Sequence, residues 1–316
     1  MRAITVFVVL GALATPAAAD PNDLVLSRLG YAHVDAMGNT TLVTGEPLEF
    51  RELASQLGVV LAPELLTPAD TLGFSGFQFS VDYATTSIDQ KASYWKALDG
   101  PAPAMMRTVG FFARKGMWLP VPSVEVGAGA VHLVDSRDWM GQLYTKVALN
   151  EGYHDLPLPS LAVRGAVSRL MTQSQLDLTV ASLDVEISKH VGIGGTWRFD
   201  PFGGWDLLMI IPRSQVVDGT PNVDPLLPGN QADTFNNFVF KDQQTIFRNR
   251  LFLGTKLQYY VFELTLEAQI ALKGSSVDNR SGTSQMCTLV SPTPDCDAKD
   301  AAAQQTTLSM SAGFDF

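Results

Sequence analysis

One short stretch of the chain groups residue types that could hydrolyse a substrate: His132, Asp135, Ser136 and Asp138. A histidine can take a proton from a serine hydroxyl or from water, and a carboxylate can hold the ring in place. Nearness in sequence does not make such an arrangement, and the chain has no Gly-x-Ser-x-Gly motif. A polar turn beside a histidine explains the same residues. We therefore predict that the protein is not an enzyme, with a hydrolase around His132 as the alternative.

The two cysteines, Cys287 and Cys296, are the only ones in the chain. In an oxidising compartment they should form a disulfide that closes a small loop. Two cysteines cannot complete a four-ligand zinc site, and the histidines do not form a pair at metal-binding spacing. The sequence therefore predicts a disulfide, no metal and no other cofactor.

These residues belong to a chain of low charge density. Its 316 residues are 46% hydrophobic and 17% charged, below the roughly 25% charged residues of soluble domains. After residue 19, no segment has the ~20 consecutive apolar residues of a membrane-spanning helix. The net charge of −10 argues against nucleic acid as a partner. This composition suits a β-barrel embedded in lipid, in which alternation dilutes the apolar residues, and it also suits a soluble β-sandwich.

Residues 1–19 have the pattern of a cleaved signal peptide. Arg2 supplies the positive charge, residues 3–13 are apolar, and three alanines form a cleavage site before Asp20. The segment is too short for a membrane anchor and lacks the flanking pattern. We therefore expect the mature chain to leave the cytoplasm.

Residues 20–71 have a mixed pattern with one predicted helix. Pro47 suits the first helical position, and Gly58 stands where a glycine would end the helix. The apolar stripe between them consists of Leu48, Phe50, Leu53, Ala54 and Leu57. We predict that this region is either a plug inside a barrel or a periplasmic element near its mouth.

From residue 72 to residue 316 the pattern changes to an alternation with period two. A strand with this alternation has one apolar face and one polar face. The predicted strands are 72–84, 105–114, 122–135, 139–149, 160–169, 176–189, 197–212, 244–257, 260–273 and 306–316. We predict an all-β fold, an antiparallel up-and-down transmembrane barrel of ten strands, or of twelve if part of residues 20–70 joins the sheet.

The connections between the predicted strands are long at one end of the barrel and short at the other. Residues 85–104, 213–243 and 274–305 form long polar loops, whereas 190–196 is short. Long external loops and short periplasmic turns are typical of outer-membrane barrels. This topology places His33, His154 and His190 on the periplasmic side. The aromatic residues predicted at the two membrane interfaces are Tyr83, Trp139, Trp205, Tyr259, Tyr260 and Phe316.

The carboxyl end, Leu308-Ser-Met-Ser-Ala-Gly-Phe-Asp-Phe316, resembles the closing strand of Gram-negative outer-membrane barrels. The resemblance implies an outer-membrane location, contact with outer-membrane lipids, and insertion by the assembly machinery that recognises Phe316. Residues 158–191 resemble poorly characterised members of this class. The segment ahead of the first strand also resembles the hatch of long-chain fatty-acid transporters, whose barrels have more strands than are predicted here. Some barrels of this class are proteases, lipases or deacylases.

If alternate residues face inward, charges of both signs line the interior of the barrel. Facing inward spares an Arg or Lys the ~2–4 kcal/mol cost of lipid exposure at mid-depth. The predicted lumen-lining residues are Asp82, Arg114, Glu125, Lys146, Arg164, Asp184, Glu186, Arg248, Arg250, Lys256, Glu263 and Glu267. Barrels of about eight strands are filled by side chains, and those of about 16–18 strands hold open channels. We predict a narrow, porin-like passage for small solutes, with a closed structural or adhesin barrel acting through its external loops as the alternative.

Overall fold

The computed structural model describes residues 20–38, 40–64, 66–117, 123–151, 158–221, 223, 236–279, 282, 284–289 and 296–316. The predicted signal peptide, residues 1–19, and His154 lie outside the described residues. Within the described part of the chain, no helix has both the length and the apolar character needed to cross a membrane.

The chain begins with a small hairpin and a helix, followed by the barrel strands. The hairpin pairs β1 (Gly30–Val34) with β2 (Thr40–Gly45), and the helix is α1 (Pro47–Val60). The first five barrel strands are β3 (Phe77–Ser87), β4 (Met105–Met117), β5 (Val124–Leu133), β6 (Trp139–Asn150) and β7 (Ser160–Leu170). The other five are β8 (Leu176–Ser188), β10 (Trp197–Ser214), β11 (Ile246–Tyr259), β12 (Phe262–Ala271) and β15 (Gln305–Asp315). Three short strands lie outside the ring: β9 (Val191–Ile193), β13 (Val277–Asp278) and β14 (Ala298–Lys299).

The ten barrel strands form one closed antiparallel ring. Each strand pairs with the next barrel strand along the chain, and β15 pairs with β3 to close the ring. The predicted fold class is therefore confirmed, and each predicted strand overlaps an observed one. The twelve-strand alternative is wrong, because β1 and β2 form a separate two-stranded sheet. The first strand begins at Phe77, later than predicted, because Gly73 and Ser75 have positive φ angles and turn the backbone before it.

The alternation of residue types separates the two faces of the ring. On β3, Phe79, Val81 and Tyr83 are exposed on the outside, whereas Ser80 and Asp82 are buried inside. The same alternation runs through β12 and β15. An apolar outer face with polar residues inside is the arrangement that a barrel adopts in lipid.

The two ends of the barrel differ, and we name them by their connections. At the short-turn end, β11 and β12 are joined by Tyr260 and Val261 alone. At the long-loop end lie the connections 88–104, 215–245 and 272–304.

Residues 20–46 also lie at the long-loop end. The amide of Val25 donates to the carbonyl of Ala97 at 2.7 Å, which ties this segment to the first long loop. The hairpin packs against Phe238 of another long loop. The predicted placement of His33 on the periplasmic side is therefore wrong, because the hairpin that carries it lies at the opposite end from the short turns.

Helix α1 lies inside the barrel, and the chain after it continues towards the short-turn end. The helix is buried except at Leu48 and Glu52, which are partly exposed, and it contacts strands on several sides of the ring, including β4, β8, β10, β11 and β15. Further along, the amide of Thr71 donates to the carboxylate of Glu151, just beyond the short-turn end of β6. Residues 47–64 and 66–72 thus occupy the interior along most of its length.

The interior at the long-loop end is an apolar core around α1. The helix contributes Phe50, Leu53, Leu57 and Val60. The strands contribute Met106, Val131, Leu133, Met140, Leu170, Leu176, Leu178, Val180, Leu208, Ile210 and Ile246. Because burial of such a side chain stabilises a fold by about 1.5–3 kcal/mol, this core holds the helix firmly in the ring.

Several aromatic residues lie together at the short-turn end. The rings of Trp197 and Tyr259 are 4.6 Å apart, and those of Tyr259 and Tyr260 are 4.7 Å apart. Phe316 stacks on Phe314 nearby. Tyr83 and Trp205, in contrast, stand near the middle of β3 and β10, so their predicted interfacial position is wrong.

Gly58 lies within α1, which continues to Val60, so its predicted role as the residue that ends the helix is wrong. A Cβ atom at this position would lie 2.6 Å from side-chain atoms of Ile210 on β10. Glycine is therefore needed here for the close approach of the helix to the barrel wall, even though it is a poor helix former.

We expect Gly58→Leu to lower the free energy of unfolding by about 1–3 kcal/mol, because the added side chain overpacks the core against Ile210. Urea unfolding of the protein in lipid vesicles, followed by tryptophan fluorescence, measures this change. The matched control is Gly165→Leu on the outer face, where no atom lies within 4 Å of an added Cβ. A loss of stability as large in the control as at position 58 would contradict the packing explanation.

Candidate functional site

The predicted lumen-lining residues all lie on the inner face of the ring, and none is more than 5% exposed. Eleven of the twelve lie below the apolar core, towards the short-turn end, where they form a charged layer. Arg248 is the exception. Its guanidinium donates to Ser55 Oγ on α1 and to the carbonyl of Leu272, both at 2.8 Å, so it fastens the helix to β11 and the loop after β12.

The strand register brings opposite charges together across neighbouring strands. Arg164 on β7 is the register partner of Asp184 on β8, and its Nε donates to Oδ2 of that carboxylate at 2.9 Å. Lys146 is likewise the register partner of Glu125, with a 3.3 Å ion pair. Directly opposed residues of opposite charge stabilise a sheet. These ion pairs therefore form between inward-facing positions that the alternation in the sequence already predicts.

A second set of pairs surrounds the carboxyl-terminal strand. Lys256 contacts Glu263 at 2.6 Å and Asp315 at 3.3 Å. Arg114 lies 3.6 Å from Asp82. These charges face the interior from β3, β4, β11, β12 and β15, so the charged layer runs around the ring.

The sequence prediction missed Asp206 and Asp200 on β10. Asp206 Oδ2 accepts a 2.8 Å hydrogen bond from Nε of Arg250, its register partner. Asp200 pairs with Arg198 at 2.6 Å. Both carboxylates occupy inward positions of a strand that also holds Pro201 and adjacent glycines, and continuing the alternation through that strand would have found them.

The extended chain after α1 is bound by the same basic residues. Lys146 Nζ donates to the carbonyls of Pro68 and Asp70, each at 2.9 Å. Arg250 Nη2 donates to the carbonyl of Pro63 at 2.8 Å. Backbone groups without secondary structure must find other partners when they are buried. The cations of the wall supply those partners and hold this segment in place.

A polar cavity of about 300 Å³ opens at the short-turn end. Its lining includes Thr67, Asp70, Gln78, Glu125, Lys146, Arg198, Lys256, Asp315 and Phe316. We call it the vestibule. It leads from the short-turn end to the lower surface of the charged layer.

The four residues considered for hydrolysis lie in one turn and the strand before it, where they contact backbone groups and neighbouring side chains. The His132 ring stacks on Trp139 at 4.7 Å, and its Nδ1 is 3.2 Å from the carbonyl oxygen of Asp138. The Ser136 hydroxyl donates to the carbonyl of Leu133 at 2.8 Å. Asp135 pairs with Arg107 at the surface. This arrangement is that of a structured polar turn, and the prediction of no enzymatic activity stays a prediction.

Cys287 and Cys296 form the predicted disulfide, which lies in the long loop between β12 and β15. In the described part of the chain, no group of three or more His, Cys, Asp or Glu side chains is arranged to hold a metal ion.

We expect Asp206→Ala to lower the free energy of unfolding by about 3–5 kcal/mol, because it leaves the Arg250 guanidinium buried without its carboxylate. Both side chains of this pair are fully buried. The control is Asp177→Ala, which breaks an ion pair with Arg169, a side chain that is 64% exposed, and should cost about 0.2–1 kcal/mol. Urea unfolding in lipid vesicles compares the two; equal losses would be evidence against a buried ionic layer.

The pKa of Asp138, in the turn between β5 and β6, is raised to about 6. The main cause is burial, and the second is the negative charge of Asp23. The folded protein therefore holds this proton more tightly than the unfolded chain, whose carboxyl has the ordinary pKa of 3.8. The free energy of unfolding should fall as pH rises from 4 to 6 and then stay level. Asp138→Asn should remove this fall, as measured by urea unfolding across the pH range. Asp135→Asn in the same turn should retain it, and a wild-type slope in Asp138→Asn would contradict the assignment.

No protein-family model matches the chain, and the search of curated proteins gave no match. Among solved structures, similar chains include Ail, the attachment invasion locus protein of Yersinia pestis, which is 9% identical to this chain. The match covers 77% of this chain and 99% of Ail, with a TM-score of 0.28. The outer membrane protease OmpT from Escherichia coli is also 9% identical, with 81% and 99% covered and a TM-score of 0.30. Omp33 of Acinetobacter baumannii is 9% identical, with 78% and 99% covered and a TM-score of 0.24.

A closed antiparallel ring with an apolar outer face, charges inside and short turns at one end meets the requirements of a barrel in lipid. The chain therefore forms a ten-strand antiparallel β-barrel of the kind that spans a lipid bilayer.

Proposed function

We propose that the protein is a closed outer-membrane barrel that acts through the surface at its long-loop end. The observation that carries this proposal is the position of α1, which fills the interior of the ring beneath the long loops. A porin needs a continuous aqueous path, and here an apolar core occupies the half of the interior that such a path would cross.

One side of α1 packs against the wall, and the other is bound to the long loops. Its apolar side packs into the core, and Gly58 allows the helix to approach Ile210 closely. On its polar side, Arg51 donates to Gln243 Oε1 at 3.2 Å and Ser55 donates to Asp300 Oδ2 at 2.8 Å. Because buried hydrogen-bond partners are costly to separate, this side of the helix is sealed as well as the apolar side.

The long-loop end offers a surface for contacts outside the membrane. In proteins of this class the long loops are external and the short turns periplasmic, which assigns β1, β2 and the long loops to the cell surface. Val34, Met37 and Leu42 of the hairpin are exposed there, whereas its other face packs on the loop before β11. Exposed apolar residues away from the lipid-facing wall are typical of interaction sites.

A second candidate function is a passage that opens when residues 47–72 move. The vestibule supports this candidate, because it already provides a polar entrance from the short-turn end. The charged layer above it would then line the remainder of the path, as the porin-like interpretation of the sequence predicts.

Planar-bilayer recordings separate the two candidates. The wild-type protein should insert without steady conductance, because α1 closes the ring. Deletion of residues 47–60 should produce conductance, since the remaining inner side chains at the long-loop end no longer meet a partner across the lumen. If the deletion prevents folding, Leu53→Asp/Leu57→Asp serves the same purpose by hydrating the core.

The control deletes residues 35–38 at the tip of the hairpin, which lie outside the ring, and should stay silent. Insertion is verified for every variant by heat-dependent migration in gel electrophoresis. Steady or voltage-dependent conductance of the wild-type protein would overturn the closed barrel and favour the passage.

A further inference from the structure

The hairpin of β1 and β2 is a separate two-stranded sheet at the long-loop end. A sheet edge presents backbone N–H and C=O groups that can pair with a further strand. In the described part of the chain, residues 31–34 form backbone hydrogen bonds only with β2, and the Thr41 hydroxyl also donates to the carbonyl of His33. Since every second residue of an antiparallel strand directs its backbone groups away from its partner, β1 keeps one row of such groups available.

The two strands of the hairpin differ in how far the long loops cover them. On β2, Val43 is buried, and a Cβ atom added at Gly219 in the loop before β11 would lie 3.2 Å from it. On β1, Tyr31, Ala32 and Val34 are exposed, Val34 to 61%. Ala32 is the register partner of Val43 and lies on the same face of the hairpin, but the loop does not cover it. The open edge of the hairpin is therefore that of β1.

The open edge lacks the side chains that normally prevent pairing. Natural edge strands are protected by charged side chains, by proline or by short length. Strand β1 reads Gly-Tyr-Ala-His-Val, without lysine, carboxylate or proline. The register shift between His33 and Val34 places the additional residue, Thr41, on β2, so β1 itself stays regular. The other separate sheet, in contrast, has two residues in each strand and carries Asp278 and Lys299.

The base of the hairpin is held in place before any partner binds. The amide of Glu46, just after β2, donates to the carbonyl of Leu29 at 3.0 Å. Gly30, the first residue of β1, lies against the long loop, because a Cβ atom added there would be 3.0 Å from the ring of Phe238. A strand that is already ordered loses less conformational freedom on binding. The edge of β1 is therefore preorganised for a further strand.

We propose that β1 binds an extended, uncharged segment of a partner protein, which adds to the hairpin as a third strand. The inference rests on the proposed function, because it names the contact made at the long-loop surface. Main-chain hydrogen bonds supply the affinity in this mode of recognition, and alternate side chains supply the selectivity. The rings of Tyr31 and His33 are 5.0 Å apart on one face of the edge, whereas Ala32 and Val34 lie on the other. Aromatic residues pair well with β-branched and aromatic residues of a neighbouring strand, so the segment should be rich in these types.

The test measures binding of a labelled hexapeptide with the sequence of β2, residues 40–45, to the protein folded in detergent micelles, by fluorescence anisotropy. The peptide is capped at both ends, so it carries no charge, and its side chains are those that already lie opposite β1. We expect saturable binding, and slower amide hydrogen exchange at residues 31–34 when the peptide is bound. The same peptide methylated at every backbone nitrogen has no donors for the edge and should not bind, although it is no less apolar.

Ala32→Lys/Val34→Lys should weaken the affinity at least about tenfold, because lysine on an edge strand opposes pairing. The matched control is Ala36→Lys/Met37→Lys, which adds the same charge at the tip of the hairpin, where Met37 is 85% exposed. This control should bind the peptide as the wild type does. Heat-dependent migration verifies that both variants are folded.

The proposal is overturned if the wild type shows no saturable binding, if the methylated peptide binds equally well, or if the Ala32→Lys/Val34→Lys variant keeps the wild-type affinity. A wild-type dimer that this variant dissociates, as measured by light scattering, would also overturn it, since a second copy would then occupy the edge. None of these outcomes depends on whether the barrel conducts, so the failure of this proposal is distinguishable from that of the closed barrel.

Discussion

The interior of this barrel depends on opposite charges that meet directly across neighbouring strands. Arg164 and Asp184 are register partners, and so are Arg250 and Asp206. A slip of one residue in either pairing would turn one of these charges toward lipid, where an Arg costs ~2–4 kcal/mol at mid-depth. The ion pairs therefore do more than compensate buried charge: they favour the register that places the apolar residues of β7, β8, β10 and β11 on the outside.

The same basic residues also make an irregular backbone tolerable inside the ring. Residues 61–64 and 66–72 have neither helix nor strand structure, and most of them are buried. Lys146 and Arg250 donate to three of their carbonyls while holding carboxylates of the wall. Wall and inner segment thus share one network, in which each part satisfies groups that the other would leave unpaired. This sharing explains why the segment can follow α1 through the barrel without secondary structure.

The strands and their inner charges were predictable because period-two alternation survives wherever the inside is polar, as on β7 and β12. The signal disappears where both faces are apolar. Leu208 and Ile210 point inward among outward apolar neighbours, so the core around α1 could not be distinguished from the lipid-facing wall. The position of α1 is a tertiary property, and the need for glycine at position 58 depends on Ile210, which lies far away in the sequence. The placement of His33 failed for the same reason: local pattern does not tell at which end a segment enters the ring.

The two halves of the interior use different physical means, and this difference divides their roles. At the long-loop end, close packing excludes water and fixes α1, since even one added methyl at position 58 meets Ile210. At the short-turn end, the walls are polar, a cavity remains, and acceptor atoms of Glu186 stay without donors. A packed apolar core resists rearrangement because its contacts are lost together, whereas the polar chamber retains open volume between its charged walls. The seal beneath the long loops therefore depends on apolar packing, whereas the lower chamber depends on ion pairs such as Arg250 with Asp206, whose loss would also destabilise the fold.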